Sequence, residues 1–135
     1  VASGMEYFNV PVGYVSMMAR EQPEPECTNI VYVAGPYTKP DPCINTHKAI
    51  EAGDYLFAAG IIPFIPHLTH FWHMLCPKEY KQWLAIDLVW MYECDVVLRI
   101  PGESNGADKE VQAALDAGMP VCDSIQELKE YASLK

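Results

Sequence analysis

The alternation of short apolar runs with longer segments of helical spacing constrains the fold of this chain most. Residues 30–34 form an apolar run rich in β-branched side chains, and residues 43–59 have the spacing of a helix that stops at Gly60. The same order repeats along the chain, with strands predicted over 61–65, 95–100 and 119–122 and helices predicted over 77–93, after 106 and from 124. Such alternation is typical of a parallel sheet covered by helices on both faces. Pro63 lacks an N–H group for the ladder and favours an edge position for its strand.

The composition indicates a single acidic domain that follows an N-terminal extension. The chain has 135 residues and a formal net charge of −9, and a proline- and acid-rich break over 21–26 favours an extension over 1–28 and a folded domain over 29–135. The negative charge argues against a nucleic-acid polymer or an anionic membrane surface as partner, because both select for Lys and Arg. A small anionic ligand is still compatible with it, since backbone N–H groups and hydroxyls bind anions.

The cysteines and the apolar runs indicate where the protein acts. Five cysteines form an odd-numbered set without a C-x-x-C pair, which is typical of reduced thiols. No segment approaches the roughly 18 apolar residues that span a bilayer, and the apolar stretch near the N-terminus lacks a basic leader. We therefore expect a cytoplasmic protein without a membrane partner.

The segment 104–110 joins the third predicted strand to the next helix. Loops that leave the carboxyl ends of parallel strands are where open α/β sheets bind ligands. Glu110 lies in the first turns of the helix and projects on the side of Val111, Ala114 and Ala117, so a carboxylate is half inside an apolar face. Two interpretations are open at this point: a reactive carboxylate, or an acid that caps the helix and faces water.

The predicted helix over 77–93 also has a carboxylate inside its apolar stripe. Asp87 falls among apolar residues spaced by three and four, which are Tyr80, Trp83, Leu84, Leu88 and Met91. Burying an unpaired carboxylate costs several kcal/mol, so Asp87 must be paired, protonated or lining a cavity. The remaining faces of this helix are apolar too, and we expect a subunit interface to bury the second side.

Three motifs follow one another along the chain: Tyr32-x-x-Gly35 at the end of the first strand, then Asp87-Leu-x-Trp90 followed by Cys94-Asp95-Val-Val, then Ser104-x-Gly106-x-x-x-Glu110. Together they resemble the nucleoside 2-deoxyribosyltransferase-like superfamily, which includes transferases and nucleoside 5′-monophosphate N-glycosidases. Within it, the chain looks similar to an uncharacterised group with the patterns Ala-Gly-Pro-Tyr-Thr and Pro-His-Leu-Thr-His. The resemblance covers roughly residues 30–122 and implies a flavodoxin-like α/β fold, with a doubly wound parallel sheet in a three-layer sandwich.

The resemblance implies roles for three residues. In the superfamily the Glu matching Glu110 attacks C1′ of the sugar and forms a covalent glycosyl-enzyme, so Glu110 is the expected nucleophile. A carboxylate suits this task because it traps an oxocarbenium-like centre. The Asp matching Asp87 helps to protonate the leaving base, and burial would raise its pKa towards that role. The Tyr matching Tyr32 helps to position the nucleophile.

Ser104 bears on the choice of substrate. In the monophosphate glycosidases a Ser at this position binds the 5′-phosphate, whereas the transferases tend to have an acidic residue that holds the free 5′-hydroxyl. A hydroxyl beside Gly106 and a helix N-terminus suits a phosphate. Capping of the helix by Ser104 or Asn105 is the alternative explanation, and both roles can coexist.

The loop after the first strand is the second predicted contact with the substrate. Gly35, Pro36 and Tyr37 lie at the same sheet edge as Ser104. The loop departs from the glycosidase pattern, in which Ser and Arg recur after the Gly. Lys39 either replaces that positive charge or is a solvated loop lysine.

His67, His70 and His73 recur at a spacing of three, which raises the hypothesis of a metal site. A helix would leave the first and third poorly aligned, and no Cys or acid completes the set, so we expect no metal and no cofactor. We expect His70, together with Phe71 and Trp72, to form a wall that binds the base. Ordinary packing is the alternative.

The sequence therefore predicts an enzyme that cleaves the N-glycosidic bond of a nucleoside 5′-monophosphate through a Glu110 intermediate released by water. A second interpretation is base exchange, in which another base intercepts that intermediate. A third is a non-catalytic nucleotide-binding module, against which the predicted nucleophile argues, since binding needs none. The expected partners are a small-molecule nucleotide or nucleoside and further copies of the chain, in a homodimer or larger homo-oligomer.

Overall fold

Four parallel strands form one sheet in the computed structural model, which describes residues 29–133. The strands are β1 (Ile30–Ala34), β2 (Ile62–Phe64), β3 (Val96–Arg99) and β4 (Val121–Cys122). Their order across the sheet is β2-β1-β3-β4, and every neighbouring pair is parallel. The predicted parallel sheet is confirmed, and β2 lies at an edge as Pro63 indicated. The predicted extension over 1–28 lies outside the described residues.

Helices connect the strands in the predicted alternation. They are α1 (Pro42–Ala58), a 3₁₀ turn (Pro66–Thr69), α2 (His70–Leu75), α3 (Tyr80–Tyr92), α4 (Asn105–Asp116) and α5 (Ile125–Ser133). Within the described part of the chain, no helix is long and apolar enough to cross a membrane.

Local capping groups decide where the helices begin. The carboxylate of Asp41 accepts hydrogen bonds from the N–H groups of Cys43 and Ile44, at 2.8 and 3.0 Å, and α1 follows directly. Helix α3 begins three residues after the predicted Pro77, because Gln82 Oε1 accepts from the N–H of Glu79 at 2.9 Å and closes the first turn there.

Alternate side chains of β1 face opposite layers of the sandwich. Val31 and Val33 pack in a cluster with Leu56 of α1 and Leu128 of α5. The second cluster, on the other face of the sheet, contains Tyr32, Ala34, Val97, Met91 of α3 and Ala114 of α4. The two clusters confirm the three-layer α/β sandwich. Because successive strand residues point to opposite faces, Tyr32 lies on the layer that contains α3 and α4.

Candidate functional site

A cleft of about 1030 Å³ opens at the carboxyl ends of β1 and β3. Its walls come from the loop over 35–40, from the segment over 100–107, from α3 and from the 3₁₀ turn. Parallel strands end at one edge of a sheet, so the two loops that follow β1 and β3 are brought together there. The cleft therefore lies where the sequence predicted a ligand site.

Glu110 lies in this cleft, on the buried face of α4. That face consists of Ala107, Glu110 and Ala114, whereas Ala117 is exposed. Glu110 retains 7% of its exposure, so it does not face water as the capping interpretation required. The hydroxyl of Tyr32, which is fully buried, donates a hydrogen bond to Glu110 Oε2.

Two opposing effects set the pKa of Glu110. Burial is the larger one and raises the pKa to about 7, because the site disfavours a charged carboxylate. The hydrogen bond from Tyr32 and the positive charge of Arg99 oppose this rise. Glu110 therefore changes its charge near neutral pH, where a carboxylate of ordinary pKa would be fully ionised.

Asp87 faces the same cleft from α3. Its Oδ1 atom is buried and has no hydrogen-bond partner among the described residues. Burial, and then the negative charge of Glu110, raise the pKa of Asp87 to about 7. The Tyr32 hydrogen bond and the Arg99 charge favour the ionised form of Glu110, and that negative charge in turn favours the protonated form of Asp87.

Ser104 and Gly106 form the end of the cleft at the N-terminus of α4. Ser104 is the N-cap residue, and its Oγ accepts from the N–H of Ala107 at 3.0 Å. Capping by Ser104, one of the two roles left open, is therefore confirmed. At Gly106 an added Cβ would lie 3.0 Å from the hydroxyl of Tyr80, so the absence of a side chain lets Tyr80 approach the start of the helix.

The loop after β1 lines the opposite side through Gly35, Pro36 and Tyr37. Gly35 also has a packing role, because a Cβ there would lie 2.3 Å from Cγ1 of Ile100 on the neighbouring loop. His70 does not line the cleft. Its Nδ1 is 2.5 Å from the hydroxyl of Tyr37 and its Nε2 is 3.8 Å from Cys43 Sγ, so it contacts the loop instead of the open space.

His67 lines the cleft, although the sequence suggested only a metal-binding role for it. The Nε2 of His67 donates to the carbonyl of Pro36 at 2.9 Å, while its buried Nδ1 has no partner among the described residues. Burial lowers the pKa of His67, so the ring is neutral and Nδ1 is an acceptor. Trp83 and His73 also line the cleft, whereas Phe71 and Trp72, predicted for the base wall, do not.

Basic side chains collect around the cleft. The chain has nine Lys and Arg residues against eighteen acids, and the lysines that line the cleft are Lys39, Lys48, Lys78 and Lys109. Over the described range 29–133, no group of three or more His, Cys, Asp or Glu side chains is arranged to hold a metal ion. Three acids, Asp87, Glu103 and Glu110, also line the cleft, so its lining is less acidic than the chain as a whole and is compatible with an anionic ligand.

A family model described as "Domain of unknown function (DUF7768)" matches residues 29–124, which include every residue of the cleft. The description assigns no activity. No curated protein matches the chain. The argument for function therefore depends on the chemistry of the cleft.

Proposed function

We propose that the chain, which belongs to the DUF7768 family, cleaves the N-glycosidic bond of a nucleoside 5′-monophosphate. One observation carries the proposal: the buried Glu110 and the half-buried Asp87 face one cleft, while Tyr32 donates a hydrogen bond to Glu110. Cleavage of a glycosidic bond through a covalent intermediate needs one ionised carboxylate and one protonated carboxyl group.

Glu110 is the nucleophile in this proposal. The hydrogen bond from Tyr32 occupies Oε2, which leaves Oε1 to attack C1′ of the sugar. As the new C–O bond forms, the C1′–N bond breaks and its electrons leave with the base. Asp87 transfers its proton to the base, which departs as a neutral molecule.

Water completes the reaction at the same two acids. It attacks C1′ of the glycosyl ester and gives a proton to the Asp87 carboxylate, which is thereby restored to its acid form. The ester bond breaks, and Glu110 is released as a carboxylate with the sugar phosphate as product. An acceptor base in place of water would give base exchange, so the two reactions share every step before this one.

The N-terminus of α4 has features that favour a substrate with a phosphate group. Ser104 uses a lone pair to cap the helix, and its O–H group stays available to donate to a phosphate oxygen. The helix N-terminus beside it favours an anion. Lys109, which follows in the same helix and lines the cleft, adds a positive charge.

The proposal is tested by product analysis. Wild-type protein is incubated with ribose and deoxyribose forms of the common nucleosides and their 5′-monophosphates, with and without a free acceptor base, and products are separated by chromatography. We expect free base and sugar phosphate from monophosphates. Glu110→Gln should release none, whereas Glu51→Gln, which changes an exposed acid on α1 outside the cleft lining, should match wild type. Base release only when an acceptor base is present would indicate the transferase instead, and no release from any compound would refute the proposal.

The outer side of α3 supports a homo-oligomer. Val89, Trp90 and Tyr92 retain 66%, 50% and 51% exposure in the single chain, and Trp90 stacks on Phe64 at the sheet edge. A second copy of the chain would bury these side chains and remove apolar surface from water. Action in the cytoplasm stays a prediction from the cysteine content.

A further inference from the structure

Trp83 presents a fixed aromatic surface in the wall of the cleft. Its indole Nε1 donates to His73 Nδ1 at 2.7 Å. The ring of Trp72 meets it edge to face, with centroids 5.0 Å apart, and the amine of Lys78 lies 5.9 Å from its centroid. These contacts restrict the indole, so it loses less conformational freedom when a flat ligand stacks on it.

The contact with Trp83 decides which nitrogen of His73 carries the proton. An indole N–H only donates, and the backbone N–H of Lys78 also points at the same nitrogen, at 3.3 Å. Nδ1 is therefore the acceptor, and the proton of the neutral ring lies on Nε2. Nε2–H has no partner in the described part of the chain, and His73 lines the cleft, so it is a donor available to a ligand.

Trp83 is also one helical turn from Asp87. Residues spaced by four on a helix have Cβ atoms roughly 6 Å apart and share a face. Tyr80, one turn earlier, lies beside Gly106 at the proposed phosphate end. Trp83 and Leu84 both lie one turn before Asp87 and line the cleft, and of the two only Trp83 has an aromatic ring that can stack on a base protonated by Asp87.

We infer that Trp83 and His73 act together as the base-recognition unit, a site for a nucleobase in which Trp83 stacks on the ring and His73 Nε2–H donates to an acceptor atom on its edge. The identity of the ligand rests on the proposed function, whereas the fixed indole and the fixed tautomer rest on the contacts alone. His70 and Phe71 are not needed for this recognition.

The test measures binding without turnover. In the Glu110→Gln background, isothermal titration is carried out with the four common 2′-deoxynucleoside 5′-monophosphates and with 2-deoxyribose 5-phosphate, which has no base. Base–aromatic stacking corresponds to roughly 5- to 150-fold in affinity. Trp83→Leu should weaken binding of at least one nucleotide by about fivefold or more and leave the affinity for the sugar phosphate within about twofold.

Three further variants separate stacking from positioning. Trp83→Phe keeps a stacking ring but removes the donor that orients His73, so its nucleotide affinity should lie between wild type and Trp83→Leu. His73→Phe removes the Nε2–H donor and should weaken nucleotide binding but not sugar-phosphate binding. Phe71→Leu changes an exposed aromatic residue outside the cleft wall and should match the background protein for both ligands.

The outcomes distinguish this inference from the proposed function. Unchanged nucleotide affinity in Trp83→Leu, or equal weakening for nucleotide and sugar phosphate, refutes the base-recognition unit even if wild type cleaves nucleotides. Selective weakening in Trp83→Leu, with no base released by wild type, supports the unit and refutes the cleavage. If none of the four nucleotides binds, both are refuted.

Discussion

Replacement of Glu110 by Gln is expected to stabilise the folded protein at alkaline pH while it abolishes the proposed reaction. Burial raises the pKa of Glu110 from the usual 4.5 to about 7. A group with a higher pKa in the folded state contributes stability below its unfolded pKa, and this contribution is lost as the pH rises through the folded pKa. Glu110 therefore lowers the free energy of unfolding progressively between about pH 4.5 and pH 7.

The size of the effect follows from the same pKa values. One pKa unit corresponds to about 1.36 kcal/mol, so an ionised Glu110 lowers the free energy of unfolding by about 3 kcal/mol at alkaline pH. Most of this decrease in the free energy of unfolding, about 2.5 kcal/mol, occurs between pH 5 and pH 8.5. Gln carries no charge and keeps an oxygen that accepts from the Tyr32 hydroxyl, so the free energy of unfolding of the variant should not show this decrease.

Urea unfolding at pH 5 and pH 8.5 measures the difference. Wild type and Glu110→Gln should differ little at pH 5, whereas at pH 8.5 the variant should be more stable by about 2 to 3 kcal/mol. Glu103→Gln, at an exposed position of the same cleft, should follow wild type at both pH values. An equal difference between Glu110→Gln and wild type at both pH values would show that the carboxylate is not disfavoured by burial, and the reasoning that gives it a perturbed pKa would fail.

Four further predictions concern the reaction and the assembly. The rate should be highest near pH 7 and fall on both sides, because Glu110 must be ionised and Asp87 protonated, each with a pKa of about 7; a constant rate from pH 5 to pH 9 would contradict this. Tyr32→Phe keeps the ring but removes a hydrogen bond to a charged group, so the acid limb of the pH–rate profile should move to between about pH 8 and pH 9, and an unmoved limb would exclude Tyr32 from the role. Ser104→Asp should reverse a preference for monophosphates over nucleosides, and a wild type without that preference would leave Ser104 as a cap only. Sedimentation at micromolar concentration should show an oligomer, and a species of 15.1 kDa alone would contradict the interface on α3.

The order of strands and helices was predictable because hydrophobic periodicity is a local property of the sequence. The first residue of a helix was less predictable where a side-chain hydrogen bond, and not the periodicity, determines it. Pro77 suggested the start of α3, yet the contact between Gln82 and the N–H of Glu79 begins the helix at Tyr80. The Glu-x-x-Gln spacing at 79–82 was the available signal, and the adjacent proline obscured it.

The base-recognition unit could not be predicted from the sequence. The sequence over 66–76 is compatible with an irregular segment or a short helix, so the positions of His67, His70 and His73 depend on how this segment packs against the loop after β1. The structure brings His67 and His73 to the cleft and directs His70 to the hydroxyl of Tyr37. The sequence places Trp83 in an apolar stripe, and that periodicity is the same whether the side chain packs in a core or lines a cleft.

Glu110 and Asp87 were predictable because each interrupts an apolar pattern at a position where burial is costly. Tyr32 alone carried no such signal, since an aromatic residue in a buried strand needs no explanation. The position of Tyr32 follows from the alternation of side chains along β1. This alternation directs Tyr32 to the layer that contains α3 and α4, and therefore towards the two acids. A hydroxyl, a carboxylate and a carboxyl group that would each destabilise an apolar layer are thereby concentrated at one place, where a ligand can use them.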